Sequence, residues 1–201
     1  GVEGTTESMT AERPQGFIDI HSHILPGLDD GPADMEQCIE AGRRYRAAGF
    51  SCVVATPHWV RYTGWTFSPA LIIRSAAEVE QALHGAGVDL KILPGMEIAL
   101  TDGLERNILE TKLLRLGTSS YYLVEFPLQG PHINLEKALF HLADEQETLP
   151  VVLAHPERCA AFQSNDDLLR RAVDRGGLVQ MNIDSLLGSF GVQIQQTAAR
   201  M

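Results

Sequence analysis

The chain has few cysteines and no paired cysteine motif. Only three of its 201 residues are cysteines, Cys38, Cys52 and Cys159, and no Cys-x-x-Cys sequence occurs. An odd number of cysteines without paired spacing argues against both a disulfide framework and a zinc knuckle. Free thiols are typical of a reducing compartment, and we therefore expect a cytoplasmic protein.

Basic residues and long apolar runs are also scarce. Lysine and arginine total 16 against 26 aspartates and glutamates, which gives a formal net charge of -10. Nucleic-acid binding depends on basic surfaces, so we expect no nucleic-acid partner, although a local pocket for one phosphate is compatible with this charge. No segment approaches the roughly 20 apolar residues of a membrane-spanning helix, and we expect neither a membrane span nor a signal peptide.

Motifs of covalent or nucleotide-dependent enzymes are absent from the sequence. It contains no Gly-x-Ser-x-Gly and no glycine-rich nucleotide loop. Cys38 and Arg44 have the Cys-x5-Arg spacing of cysteine-dependent phosphatases, but this spacing falls inside a helical pattern and not on a loop of free backbone amides. The pair therefore does not indicate a cysteine nucleophile.

Short apolar segments alternate with helical patterns after a polar stretch, 1–16, that we expect to be a flexible tail. The predicted strands are 17–20, 51–55, 91–93, 121–124, 150–154 and 178–181. The predicted helices are 35–48, 69–86, 103–116, 135–142, 166–175 and 184–200. This alternation predicts one α/β domain over 17–201, with a parallel sheet and helices outside it, and a barrel or partial barrel is its natural closed form.

The first predicted strand ends in two histidines. His21 and His23 stand two positions apart, so that on a strand their side chains point to the same face. The chain then turns and presents Asp30 nearby. Histidines and carboxylates together suit a divalent metal, although a strand with two surface histidines has the same pattern.

Four later strand ends also carry a histidine or a carboxylate: His58, Glu97, Glu125 and His155. Because sites in parallel α/β folds gather at the carboxyl ends of the strands, we expect these side chains to converge with the two histidines and the aspartate of the first strand end. Such a set exceeds what one ion needs. It fits two or three metals bridged by a carboxylate, an arrangement that is used in phosphate ester hydrolysis.

Two further features are consistent with a phosphate ester as substrate. Arg158 follows the fifth predicted strand, and its planar guanidinium can clamp a phosphoryl group, unless it forms a surface salt bridge. The segment 59–67 is rich in aromatic residues and contains Trp59, Arg61 and Trp65. It either packs locally as a loop or forms a wall for an aromatic substrate.

Five segments resemble motifs of the PHP (polymerase and histidinol phosphatase) superfamily. They are FIDIHSHILPGLDDG (17–31), ATPH (55–58), PGMEI (94–98), VEFP (124–127) and AHPER (154–158). Within this superfamily, the chain is most similar to the capsule-type bacterial protein tyrosine phosphatases over about residues 16–192. The resemblance implies a distorted, TIM-like β/α barrel. It also implies hydrolysis of phosphotyrosine, by a hydroxide that metals generate, on a bacterial tyrosine kinase that regulates capsule or exopolysaccharide synthesis.

The resemblance further implies a trinuclear centre, usually assigned to manganese, with iron, zinc or magnesium as alternatives. It assigns His21 and His23 to the first metal, Glu97 to a bridge between the first and second, Glu125 and His155 to the second, and Asp30 and His58 to the third. It also makes Arg158 the phosphate-binding residue.

One motif of that family has no counterpart in these 201 residues. The family completes its site with a Ser-Asp-Ala-His type sequence on a last strand, and none follows residue 182 here. From this difference we expect an incomplete barrel, about one β/α unit short, in which the first and third metals each lack one ligand. Two alternatives therefore stay open: a PHP phosphoesterase for a small phosphomonoester, and a weakly active or non-catalytic homologue.

Overall fold

The fold, obtained as a computed structural model, is described for residues 16–101, 104–129 and 150–201, where strands and helices alternate. The strands are β1 (Phe17–Ser22), β2 (Phe50–Ala55), β3 (His58–Trp59), β4 (Lys91–Pro94), β5 (Glu97–Ala99), β6 (Tyr122–Glu125), β7 (Val151–Ala154) and β8 (Leu178–Gln180). The helices are α1 (Met35–Ala47), α2 (Pro69–Gly85), α3 (Leu104–Thr111), α4 (Ala160–Ser164), α5 (Asp166–Asp174), α6 (Ile183–Leu187) and α7 (Val192–Arg200). A 3-10 turn, Pro156–Arg158, follows β7.

The strands within the described ranges pair in parallel and form two sheets. One sheet has the order β1-β2-β4, and the other has the order β3-β5-β6-β7-β8. The predicted α/β fold with parallel strands is therefore confirmed. These pairings do not establish that the two sheets close into one barrel, and closure stays a prediction.

The six predicted strands are all present, and two very short strands were missed. β3 and β5 span 2 and 3 residues, which is too short to show alternation of polar and apolar positions. The predicted helix 103–116 is wrong beyond Thr111, because Lys112 has a φ of 53° that ends the helix. Leu113 and Leu116 are buried in the loop that follows, which explains the misleading apolar periodicity.

The predicted segment 184–200 is helical in two parts, α6 and α7. Gly188 and Gly191, with φ values of 84° and 98°, separate these helices. The 5-residue helix α4 was not predicted. The predicted helix 135–142 and the predicted tail, apart from Gly16, lie outside the described residues.

Helices α1 and α2 begin at side chains that cap their first turns. Asp34 Oδ1 accepts a hydrogen bond from Gln37 N at 2.9 Å, and Ser68 Oγ accepts one from Leu71 N at 3.3 Å. These bonds satisfy N–H groups that have no partner within the helix. Among the described residues, no helix combines the length and the apolar character that a membrane span requires.

The turn after β1 holds acidic residues against the end of that strand. Ile24 and Leu25 are 2% and 0% exposed and anchor the turn in the hydrophobic core. Gly31 N donates a hydrogen bond to Asp29 Oδ1 at 3.1 Å. Gly31 also lies so close to the backbone carbonyl of His23 that an added Cβ would overlap the carbonyl oxygen. The turn therefore requires glycine at this position.

Replacing Gly31 is expected to weaken the fold. In Gly31→Ala, the new Cβ meets backbone atoms of His23, which cannot move aside as a side chain can. We expect the free energy of unfolding to fall by about 1–3 kcal/mol, as measured by urea unfolding of the metal-free protein. Gly64→Ala is the control, because nothing lies within 4 Å of a Cβ added there. Equal stability of the two variants would contradict the tight packing of the turn.

Candidate metal centre

Four imidazoles surround the carboxylate of Glu97, which is fully buried at the start of β5. Its Oε1 atom lies 2.9 Å from His155 Nε2. Its Oε2 atom lies 3.1 Å from His21 Nε2, 3.2 Å from His23 Nε2 and 3.1 Å from His58 Nδ1. The structure thus brings five of the seven predicted ligands into direct contact.

The parallel sheets explain why residues distant in sequence meet here. His21 lies near the end of β1, His23 comes just after it, and His155 directly follows β7. His58 at the start of β3 is the register partner of Glu97 on β5. The five side chains therefore come from the ends of β1 and β7 and from the points where β3 and β5 begin, shortly after β2 and β4 end.

The charge of Glu97 is stabilised by its surroundings. Burial alone would raise the pKa of Glu97, but the imidazoles of His155, His21 and His23 outweigh burial and hold this pKa far below its usual range. Glu97 in turn raises the pKa of His21, although burial of that ring opposes the change. The carboxylate is therefore ionised at neutral pH.

A second carboxylate lies on the other side of the histidines. Glu125 Oε2 is 3.8 Å from His58 Nδ1, and Glu125 Oε1 is 3.8 Å from His155 Nε2. Burial and the negative charge of Glu97 raise the pKa of Glu125. Two carboxylates in one buried site disfavour each other's ionised form. Cations bound between them would offset this charge repulsion.

The turn after β1 contributes two aspartates with different exposure. The Asp29 side chain is 1% exposed; its Oδ2 atom lies 2.6 Å from His23 Nδ1 and accepts a hydrogen bond from His58 N at 2.9 Å. The Asp30 side chain is 64% exposed, and its Oδ1 atom lies 3.5 Å from His23 Nδ1 and 3.9 Å from His58 Nε2. Asp29 was not predicted, because two adjacent aspartates carry no signal of which one faces inward.

Two of the histidines are oriented by hydrogen bonds on their outer ring nitrogens. His21 Nδ1 lies 2.8 Å from Gln180 Oε1, and His23 Nδ1 pairs with Asp29. Each bond leaves Nε2 directed at Glu97. Histidines that bind metals commonly donate their other N–H to a protein oxygen in this way. Gln180 was not predicted either, because it lies 159 positions from His21 and no local spacing connects them.

Three overlapping groups of side chains have the geometry to hold metal ions. They are His21, Glu97 and His155; His23, Asp30 and His58; and His58, Glu97 and Glu125. Within each group, the ligand atoms lie within 4.8 Å of one another. Glu97 Oε2 and His58 Nδ1 are buried 3.1 Å apart, and Glu97 Oε2 lies close to three imidazoles without forming a well-aligned hydrogen bond to any of them. Unpartnered buried polar atoms are costly, so divalent cations fit this cluster.

These groups contain all seven predicted ligands but divide them differently from the resemblance. His21 and His23 fall in separate groups, whereas the resemblance assigns both to one metal. Glu97 and His58 each belong to two groups, which agrees with a bridging role for Glu97. The assignment of residues to individual ions stays a prediction.

The 3-10 turn after β7 places Arg158 close to the cluster. Its guanidinium carbon lies 4.5 Å from the centre of the Phe190 ring. Its positive charge counteracts the burial and the Glu97 repulsion that raise the pKa of Glu125. The turn is anchored by Glu157, which is fully buried and accepts a hydrogen bond from Ser185 Oγ at 2.7 Å.

The aromatic segment 59–67 is only partly available to a substrate. Trp59 is 2% exposed and packs in the hydrophobic core, which corrects the interpretation of Trp59 as a substrate-binding residue. The Arg61 guanidinium lies 4.6 Å from the centre of the Tyr62 ring, and a contact of Arg61 with substrate stays a prediction. Trp65 is 39% exposed and lies beside the cluster.

The chain matches one family model and is similar to known tyrosine phosphatases. A model of the family described as "Capsular polysaccharide synthesis, CpsB/CapC" matches residues 17–201. Tyrosine-protein phosphatase YwqE of Bacillus subtilis (strain 168) is 34% identical over 186 residues, which are 92% of this chain and 72% of YwqE. Tyrosine-protein phosphatase CpsB of Streptococcus pneumoniae is 32% identical over 169 residues, which are 83% of this chain and 67% of CpsB.

A solved structure has the same fold. It comes from crystal structures of YwqE from Bacillus subtilis and CpsB from Streptococcus pneumoniae, described as unique metal-dependent tyrosine phosphatases. The superposition has a TM-score of 0.81 at 32% sequence identity and covers 92% of this chain and 73% of the other.

The charges around His23 predict how the stability of the metal-free protein depends on pH. Burial lowers the pKa of His23, but the nearby carboxylates of Asp29 and Glu97 outweigh burial and raise this pKa from 6.5 to about 10. Asp30, His21 and His58 also face this ring. Because the folded pKa exceeds the unfolded one, these contacts stabilise the fold fully below pH 6.5 and are lost as the pH rises through about 10.

Asp29→Asn tests this linkage. At pH 7 we expect the metal-free variant to be less stable than the parent by about 1–3 kcal/mol, because a hydrogen bond between charged groups is lost. Near pH 10.5 the difference should shrink, because His23 is then largely neutral in the parent. Thermal unfolding at both pH values measures it, with Asp167→Asn, whose side chain is 79% exposed, as the control. A difference that does not change with pH would contradict the prediction.

Proposed function

The chain belongs to the CpsB/CapC family of capsular polysaccharide synthesis, and from this premise we propose that it is a metal-dependent protein tyrosine phosphatase. Its relatives YwqE and CpsB are tyrosine phosphatases. One observation carries the proposal: the buried Glu97 carboxylate has four imidazole nitrogens within 3.2 Å. A carboxylate in this setting is suited to bridge cations, and bridged clusters hydrolyse phosphate esters.

The proposed metal ligands share a position at or near a strand end or in the turn after β1. They are His21, His23, Asp30, His58, Glu97, Glu125 and His155. Two or three divalent ions suit this number of side chains. Manganese is the metal proposed from the resemblance to the PHP superfamily. When bound there, such ions would supply a hydroxide nucleophile at neutral pH and would neutralise phosphate oxygens.

The other side chains of the site hold the ligands in place. Glu97 presents one oxygen to His155 and the other to His21, His23 and His58, so it faces both sides of the cluster. Gln180 fixes the ring of His21, and Asp29 fixes the ring of His23. This support is expected to limit reorganisation when metal and substrate bind.

Arg158 is the proposed phosphate-binding and catalytic residue. The guanidinium offers paired donors that match two phosphoryl oxygens. It is half-buried, and the Phe190 ring lies 4.5 Å from it on one side, which restricts its orientation. A fixed cation can stabilise the charge that develops on the phosphoryl oxygens during transfer.

The proposed substrate is a phosphotyrosine protein, and by resemblance a bacterial tyrosine kinase that regulates capsule or exopolysaccharide synthesis. The names of the relatives support phosphotyrosine over a small phosphomonoester. We place the protein in the cytoplasm, because its three cysteines are buried and none is in a disulfide.

Metal removal is expected to abolish activity. A chelator should stop hydrolysis of a phosphotyrosine peptide, and manganese should restore it. Glu97→Gln keeps the size of the side chain but removes the charge, so we expect kcat to fall by about 100-fold or more. Glu110→Gln, on the exposed surface of α3, is the control. Turnover that is insensitive to the chelator would refute the proposed function.

Arg158→Ala tests the phosphate clamp. Loss of the guanidinium should remove about 2–4 kcal/mol of transition-state stabilisation, which lowers kcat/KM by about 30- to 1,000-fold. Steady-state kinetics with a phosphotyrosine peptide measures this change. Arg170→Ala is the matched control, because Arg170 is 73% exposed and pairs with Asp167 on α5. If Arg158→Ala retains full activity, the clamp assignment is wrong.

A further inference from the structure

The indole of Trp65 stacks on the imidazole of His58. The ring centroids are 4.9 Å apart and the ring planes differ by 10°. The two tryptophans of the chain therefore differ in role: Trp59 is 2% exposed within the core, whereas Trp65 is 39% exposed at the cluster. An aromatic surface thus adjoins a side chain that contacts Glu97 at 3.1 Å.

The backbone of a tight loop holds Trp65 in this position. Val60 N donates to Trp65 O at 3.1 Å, and Trp65 N donates to Thr63 Oγ1 at 3.1 Å. Thr66 Oγ1 closes the loop with a hydrogen bond to Val60 O at 2.8 Å. Tyr62, with a φ of 64°, makes the sharp bend. The loop therefore presents the indole toward the site without burying it.

The location of Trp65 suits the group attached to a phosphate at the metal cluster. In an aryl phosphate, one oxygen separates the phosphoryl group from the ring. A phosphoryl group bound at the metal cluster would carry its aryl ring one oxygen further out, and the exposed indole stacked on His58 adjoins the cluster there. Aromatic rings gain from offset or edge-to-face contacts beyond the burial of area, and an alkyl group lacks this gain.

We propose that Trp65 is a specificity-determining residue that contacts the aryl group of an aromatic phosphomonoester. This inference rests on the proposed function, because it assumes that the phosphoryl group binds at the metal cluster. The contact favours phosphotyrosine over phosphoserine. The stack on His58 keeps the indole in place, so the selectivity does not need a closed pocket.

The kinetic test compares aromatic and aliphatic esters. Trp65→Ala should lower kcat/KM for phenyl phosphate by about 2- to 12-fold relative to phosphoserine, mainly through KM, and Trp65→Phe should restore part of the difference. Ile73→Ala, which removes a 48% exposed apolar side chain from α2, is the control and should leave the ratio unchanged. An equal loss for both esters would overturn the proposal, because Trp65 would then act only through His58.

A fluorescence titration separates failure of this inference from failure of the proposed function. In Trp65→Phe, Trp59 is the remaining tryptophan. Subtracting the fluorescence of this variant from that of the parent protein therefore gives the signal of Trp65. With metal-loaded protein, phenyl phosphate should change this difference and inorganic phosphate should change it much less. If no ester is hydrolysed but this response is present, the proposed function fails and the aryl contact stands. If neither the response nor the kinetic difference appears, the aryl contact is refuted.

Discussion

The structure depends on the burial of one ionised carboxylate. Glu97 is completely buried, and taking such a group out of water is costly unless positive charge and hydrogen bonds compensate. Four imidazoles surround it: His21 and His23 from the β1 region, His58 from β3, and His155 just after β7, so that with Glu97 on β5 the cluster draws on four segments of the chain. The β1, β3, β5 and β7 regions must therefore meet with their site residues at one level. A shift of any one of these strands would leave a buried charge without its partner.

A second set of contacts ties this centre to the scaffold. Asp29 holds the side chain of His23 and the backbone of His58, so that it links the first turn to the start of β3. Gln180 links β8 to His21, and its amide also donates to Asn182 Oδ1 at 2.9 Å. Asn182 N donates to Glu157 Oε1 at 3.1 Å, next to Arg158. The proposed metal ligands and the proposed phosphate clamp thus lie on one hydrogen-bonded framework.

The sequence predicted the fold class and the clustering of the seven candidate ligands because both rest on local signals. Apolar strands and capped helices have clear patterns, and each strand-end histidine or glutamate is visible in its own segment. Asp29 and Gln180 could not be predicted, because their roles arise from turn geometry and from a contact across 159 positions. Trp59 was wrongly assigned to the substrate-binding site, because the sequence of an aromatic-rich segment does not show which rings face the core and which face the site. The end of α3 was missed because Leu113 and Leu116 keep helical spacing in a loop.

The contact between His21 and Gln180 also bears on how the protein is made. His21 is the first proposed ligand to leave the ribosome, whereas the residue that orients its ring is translated 159 positions later. At about 5–20 residues per second, the delay is roughly 10–30 s. During that interval the nascent chain holds His21 without the residue that orients its ring, whereas Asp29, which orients His23, is already present. A fully ordered centre is therefore a late product of biosynthesis, formed only when β8 has docked.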